Sequence, residues 1–107
     1  MACLIALHHT PDDPQQYDGY YFATHVPLAL KLPGLRRFEV TRGPVVQLGG
    51  RSDVHLVAIL YFDDVAAIHA AIESPEGKVA SADIANFAKP EGVEILISES
   101  EQLTRSR

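Results

Sequence analysis

Polar and apolar residues change period along the chain, and the changes mark six elements. Cys3 to His9 is a short apolar run closed by Thr10-Pro11-Asp12-Asp13, which reads as a first strand buried on both faces. Tyr17, Tyr21, His25, Leu28 and Leu32 come next, at spacings of four, four, three and four, the repeat of one helical face. From Leu35 to Val46 the period drops to two. Phe38, Val40 and Arg42 alternate with Arg37, Glu39 and Thr41, as in a strand with two different faces. Gly43-Pro44 and Gly49-Gly50-Arg51-Ser52-Asp53 mark a hairpin loop or exposed end. Val54 to Phe62 is the most strand-like stretch, rich in β-branched and aromatic residues, and is predicted to be central in the sheet. Val65, Ile68 and Ile72 return to helical spacing behind a cap at Asp63 or Asp64. Ser74-Pro75 restarts a helix whose packing candidates are Val79, Ala82, Ala85 and Phe87. Pro90-Glu91-Gly92 closes it, and Val93 to Ile97 forms a last strand.

The first helix has marked ends and a flawed middle. Asp12 and Asp13 can cap its free N–H groups, and Pro14 fits its first position. Pro33-Gly34 stops it. Gly19 weakens its interior by about 1 kcal/mol relative to Ala. Pro27 cannot donate to the carbonyl of Ala23, so the helix kinks there or that carbonyl finds another donor. The defect lies two residues from His25. It is either a tolerated surface kink or a device that aims the imidazole.

Strand, helix, strand, strand, two-piece helix and strand make two βαβ halves. The predicted class is α+β: a ferredoxin-like βαββαβ fold with a four-stranded antiparallel sheet and both helices on one face. Residues 1–99 form one domain and 100–107 a polar tail. The strand Val54–Phe62 is apolar on both parities, Leu56/Ala58/Leu60 against Val57/Ile59/Tyr61, so its second face needs cover. A second copy packed sheet to sheet provides it by symmetry, giving a homodimeric α/β barrel.

Composition narrows the partners. The chain of 107 residues is 47% hydrophobic with a formal charge of −5, normal for a folded globule. Basic residues cluster only at Arg36-Arg37, which speaks against nucleic acid and anionic membranes. No apolar run approaches a membrane span. The start, Met1 to Leu7, reads as a strand and not a signal peptide, so the cytoplasm is the default location. The single Cys3 reads as a buried, unreactive thiol.

Candidate chemistry centres on His25. Histidine titrates near neutral pH and serves as acid or base; the alternative is a core histidine satisfied by one carbonyl. His55 either points into the same cleft or sits at a wet strand end. His8-His9 looks like a metal pair, yet strand neighbours point to opposite faces. With no Cys or carboxylate at zinc spacing, no metal site is expected. His69 reads as exposed, and Asp63-Asp64 as a cap. No GxGxxG, phosphate loop or nucleophile elbow is present.

Tyr20-Tyr21, His25-Val26-Pro27-Leu28-Ala29, Leu32-Pro33-Gly34-Leu35-Arg36-Arg37-Phe38, Tyr61-Phe62-Asp63, Ser74-Pro75-Glu76-Gly77, Asp83 and Phe87 together resemble an EthD-type domain of the dimeric α/β-barrel superfamily. The HxPLA segment followed by LPGLRR is the most specific part. The resemblance implies a ferredoxin-like fold, sheet pairing into a barrel and a small-molecule pocket. It carries His25 as the proton-transfer residue. One departure is Phe38, where related enzymes often have a tyrosine; the missing hydroxyl removes one proton donor. The candidate site is therefore His25 as catalytic residue with Tyr21, Phe38, His55, Tyr61 and Phe87 as substrate contacts, and no cofactor. Two functions remain open. One is a cofactor-free enzyme that isomerises, dehydrates or oxidises a small apolar or aromatic molecule; the other is a non-catalytic binding or accessory protein of a degradation pathway. Haem, bound elsewhere in the superfamily, would need His25 as axial ligand and has no other support here.

Overall fold

The computed structural model describes residues 1–105. Residues 106–107, the end of the expected polar tail, lie outside the described residues. The strands β1 (Ala2–His9), β2 (Arg37–Val40), β3 (Val54–Phe62) and β4 (Val93–Glu99) form one antiparallel sheet in the order β2-β3-β1-β4. The helices are α1 (Pro14–Tyr20), α2 (Val26–Ala29), α3 (Val65–Glu73) and α4 (Pro75–Asp83). This is the ferredoxin-like α+β architecture that the sequence predicts, with the strongest strand at an inner position.

Strand parity decides what faces the helices. Ala2, Leu4, Ala6 and His8 of β1 lie opposite Phe62, Leu60, Ala58 and Leu56 of β3. Most of these are buried against Tyr21, Ile68 and Ala71. The other face carries Ile5, Leu7, Val57, Ile59 and Tyr61, each only half-buried, beside Leu96, which is 50% exposed. The expectation that β1 is buried on both faces is therefore not met within one chain. The second strand is also shorter than expected: it ends at Val40, because Gly43 takes φ +78° and Pro44 has no N–H for the ladder.

Pro27 does not merely kink its helix. α1 widens into a π turn over Tyr21–His25, and the Val26 N–H bonds to the Tyr21 carbonyl, five residues back. A π turn takes up an extra residue next to the missing Pro27 donor. The buried positions then run Tyr17, Tyr21, His25 and Ala29. Ala29 takes the inward place expected for Leu28 because the wider turn shifts the phase of the residues beyond it. Gly34 ends the segment at φ +80°, the backbone state that favours glycine after a helix.

In the second helical half Asp64, not Asp63, is the cap, accepting from Ala67 N–H at 2.8 Å. Asp63 instead receives two hydrogen bonds from the Arg36 guanidinium, at 3.0 and 2.9 Å. Ser74 separates α3 from α4 and caps the latter through Gly77 N–H. α4 faces inward with Gly77, Ala80 and Asp83, whereas Val79 is 54% exposed and Ala82 and Ala85 are exposed too. Of the four expected packing residues only Phe87 packs against the core; along α4 small residues allow the approach to α3, and the buried carboxylate has partners to satisfy. A Cβ on Gly77 would run into the carbonyl oxygens of Ala71 and Ile72. Helix propensity favours Gly77→Ala by about 1 kcal/mol. The clash with fixed backbone outweighs it, so chemical denaturation should show a net loss of about 2–3 kcal/mol.

Candidate functional site

A cavity of about 240 Å³ lies between the sheet and the helices. Its floor is Leu4, Ala6, His8, Ala58 and Leu60 from the helix-facing parity of β1 and β3, with Phe38 from β2 and Val93 and Ile95 from β4. Tyr21, His25, Ala29, Leu32, Ile72, Ala80 and Ile84 close it from above. The lining is apolar except for Ser81, the Tyr21 hydroxyl and two imidazoles.

His25 stands in this wall, 9% exposed. Its Nδ1 lies 2.9 Å from Asp83 Oδ2. Asp83, 6% exposed, also accepts from the Tyr20 hydroxyl at 2.6 Å and from Asn86 Nδ2 at 3.0 Å, both on Oδ1. Burial alone would raise the Asp83 pKa, but the hydrogen bonds from Tyr20, Asn86 and His25 outweigh it and hold the carboxyl below its ordinary range. An ionised Asp83 can only accept, so Nδ1 of His25 carries the proton and donates. In the neutral ring Nε2 is then a bare acceptor. Among the described residues Nε2 has no hydrogen-bond partner, and no buried side-chain nitrogen or oxygen is left unpaired. Nε2 therefore faces space that a solvent molecule or ligand can reach.

His8 is the second imidazole, 2% exposed, with Nδ1 2.6 Å from the Tyr17 hydroxyl. Burial, and after it the nearby His25 and His55, lowers its pKa from 6.5 to about 4, so it is neutral at physiological pH. Burial also pushes Tyr17 up to about 12, which keeps its hydroxyl protonated. Phe87 packs among these rings, 5.0 Å from His25 and 5.1 Å from Tyr17 between centroids.

Of the candidate residues, His25, Tyr21 and Phe38 meet at the cavity. The other three do not line it. Tyr61 has the opposite strand parity, and its hydroxyl bonds to Glu39 at 3.2 Å on the far face of the sheet. His55 sits where the register of β1 and β3 slips, and its Nε2 turns to Asp18 Oδ1 at 2.7 Å on α1. Phe87 backs the His25 ring and borders a separate surface cleft. Sequence reasoning gave no role to Asp83 or His8. Strand parity with Leu4 and Ala6 was the available signal for His8, and inward spacing with Gly77 and Ala80 was that for Asp83. His9 points the other way, to Asp53 and Glu94. No group of three or more His, Cys, Asp or Glu among the described residues is arranged to hold a metal ion. No described helix is long and apolar enough to cross a membrane.

A ferredoxin-like domain with a histidine–aspartate pair against an apolar cavity defines the class. The EthD domain family matches residues 9–91, and the chain belongs to that family. It is 36% identical over 101 residues to an uncharacterized 11.0 kDa protein of the thcB-thcC intergenic region of Rhodococcus erythropolis, covering 94% of this chain and 96% of that one. The crystal structure of an ethyl tert-butyl ether D (EthD) family protein from Bacillus halodurans C-125 is similar at 38% identity and TM-score 0.86, over 94% of this chain and 99% of that one. SnoaB, a cofactor-independent oxygenase from Streptomyces nogalater, shares the fold at 15% identity and TM-score 0.67, over 98% of this chain and 97% of its own.

Proposed function

We propose that this EthD domain is a cofactor-free enzyme that moves a proton on a small apolar or aromatic molecule, with His25 as the base. The observation that carries the reading is the hydrogen bond from His25 Nδ1 to the buried Asp83, which leaves Nε2 unpaired and accessible on a residue that lines the cavity. Asp83 fixes the tautomer and stabilises the imidazolium formed when Nε2 takes a proton, the role of the carboxylate in histidine-based catalysis. The apolar lining suits a carbon acid. At about 240 Å³ the cavity lies below the roughly 300–1,000 Å³ usual for drug-sized ligands, which favours a substrate of one or two rings. The cofactor-independent chemistry named for SnoaB is compatible with this reading.

The test is hydrogen–deuterium exchange of small aromatic carbon acids (2-indanone, 2-tetralone and phenylnitromethane) in D₂O, monitored by NMR. Exchange should be accelerated by the wild-type protein and fall by about 10²–10⁴-fold in His25→Ala. Binding of these probes without any exchange would instead favour an accessory, ligand-holding protein.

The half-buried sheet face supports a homodimer. Ile5, Leu7, Val57, Ile59, Tyr61 and Leu96 form an apolar surface that a second copy covers. Sedimentation should give a dimer at micromolar concentration and a monomer for Ile59→Glu; a monomeric wild type removes the proposal.

A further inference from the structure

The cavity presents two imidazoles, and their partners are of opposite kind. His25 Nδ1 meets a carboxylate, which only accepts. His8 Nδ1 meets the Tyr17 hydroxyl at 2.6 Å. That hydroxyl has no other partner among the described residues, and Tyr17 is 5% exposed. If His8 donated from Nδ1, the phenol proton would be buried with nothing to accept it, at a cost of about 1–3 kcal/mol. With Tyr17 donating to Nδ1, the phenol proton is paired, and the one unpaired proton sits on the ring nitrogen that keeps accessible space beside it. A neutral imidazole that accepts at Nδ1 must carry its proton at Nε2. His8 Nε2 has no protein partner either, and His8 lines the cavity. One apolar cavity therefore holds a bare nitrogen on His25 and an N–H on His8. Two rings with the same tautomer could only both accept or both donate.

We propose that His8 is a second catalytic residue, whose Nε2–H donates a hydrogen bond to the carbonyl oxygen of an enolisable ketone while His25 Nε2 removes the proton from the adjacent carbon. The proposal rests on the acid–base reading above and adds the substrate class. The C–H electron pair moves into the new C=C bond, and the carbonyl π pair goes to oxygen, giving an enolate. The proton resides on His25 as an imidazolium paired with Asp83; it returns to the same carbon, or to a conjugated carbon in an isomerisation, and in D₂O the imidazolium N–H first exchanges with solvent, so that a deuteron is returned in its place. No oxidant, metal or cofactor is needed for the balance. A neutral imidazole suits the donor role because it polarises the oxygen without carrying a charge into an apolar site. The low basicity of His8 keeps it neutral at physiological pH. Tyr21, which also lines this cavity, has a hydroxyl without a hydrogen-bond partner among the described residues and is the competing donor.

The first measurement needs no substrate. Two-bond ¹H–¹⁵N correlation spectra of the wild-type protein near neutral pH should show His8 protonated on Nε2 and His25 protonated on Nδ1. Finding the His8 proton on Nδ1, or His8 as a cation, overturns the proposal. The second measurement is deuterium exchange of 2-tetralone. His8→Phe combined with Tyr17→Phe, which removes the donor without stranding the phenol, should lose about 10²–10³-fold, as for loss of one oxyanion donor. His8→Gln, whose amide can accept from Tyr17 and donate to the cavity, should recover at least tenfold of that loss. Circular dichroism and thermal melts establish that each variant is folded. If the double variant keeps its rate while His25→Ala loses it, or if Tyr21→Phe carries the loss instead, His8 is not the donor and the His25 reading stands. If wild type accelerates no exchange, the His25 reading fails and this proposal fails with it.

Discussion

Asp83→Asn is expected to lower exchange on a responsive carbon acid by about 10³–10⁴-fold while leaving the fold intact. The variant is isosteric. Its amide oxygen can still accept from Tyr20 and Asn86, the two groups bonded to Oδ1. Its amide nitrogen then faces His25 Nδ1 where Oδ2 stood, at 2.9 Å. A donor there draws the imidazole into the other tautomer, with Nδ1 accepting and Nε2 protonated. The base is lost without the ring having moved, which is why such a small change has so large an effect on rate. Stability should fall by only about 1–3 kcal/mol, the loss of one charge-assisted hydrogen bond. Rate loss without unfolding, together with an ¹⁵N spectrum showing the flipped tautomer, is the signature. An exchange rate within tenfold of wild type would show that Asp83 is only structural.

The second large effect is on stability. His8 titrates near 4 in the folded chain and near 6.5 when unfolded. Between those values the unfolded chain binds more protons, so stability rises with pH and is lost as pH falls from 6.5 towards 4. At about 1.4 kcal/mol per pH unit, the loss approaches about 3 kcal/mol. Two neighbours do not mask it. The pKa of half-buried His9 is raised, chiefly by its hydrogen bond to Glu94, so its contribution is fully present below 6.5 and fades at higher pH. The Asp83 pKa is lowered from 3.8, so its contribution is lost only below the His8 window. Urea denaturation from pH 7 to 4 should show the slope, and the His8→Phe, Tyr17→Phe double variant should flatten it. A wild-type profile that is flat over this range would mean that burial does not hold His8 neutral.

The sequence alone determined the frame. Period-two runs bounded by Gly and Pro, with two helical stretches between them, permit few arrangements other than a ferredoxin-like sheet. The largely apolar parities of Val54–Phe62 also announced an uncovered face. His25 was legible for the same reason: a four-residue repeat with Tyr17 and Tyr21 puts an imidazole on the packing side of a helix. Gly34 was legible because a Pro-Gly turn after a helix calls for a positive φ.

What the tertiary structure decided depends on contacts between distant segments. Asp83 reaches His25 across 58 positions of sequence; its spacing with Gly77 and Ala80 can put it on the inward face of α4, but no local pattern says which side chain it meets there. Strand parity puts His8 at the cavity, but the contact that orders its ring nitrogens is Tyr17, nine residues on, at 2.6 Å. His55 and Tyr61 left it because a register slip turned one towards Asp18 and strand parity put the other on the far face. Periodicity assigns a side chain to a face. Which partner it meets there, and so which nitrogen holds the proton, is set by the packing of the elements against one another.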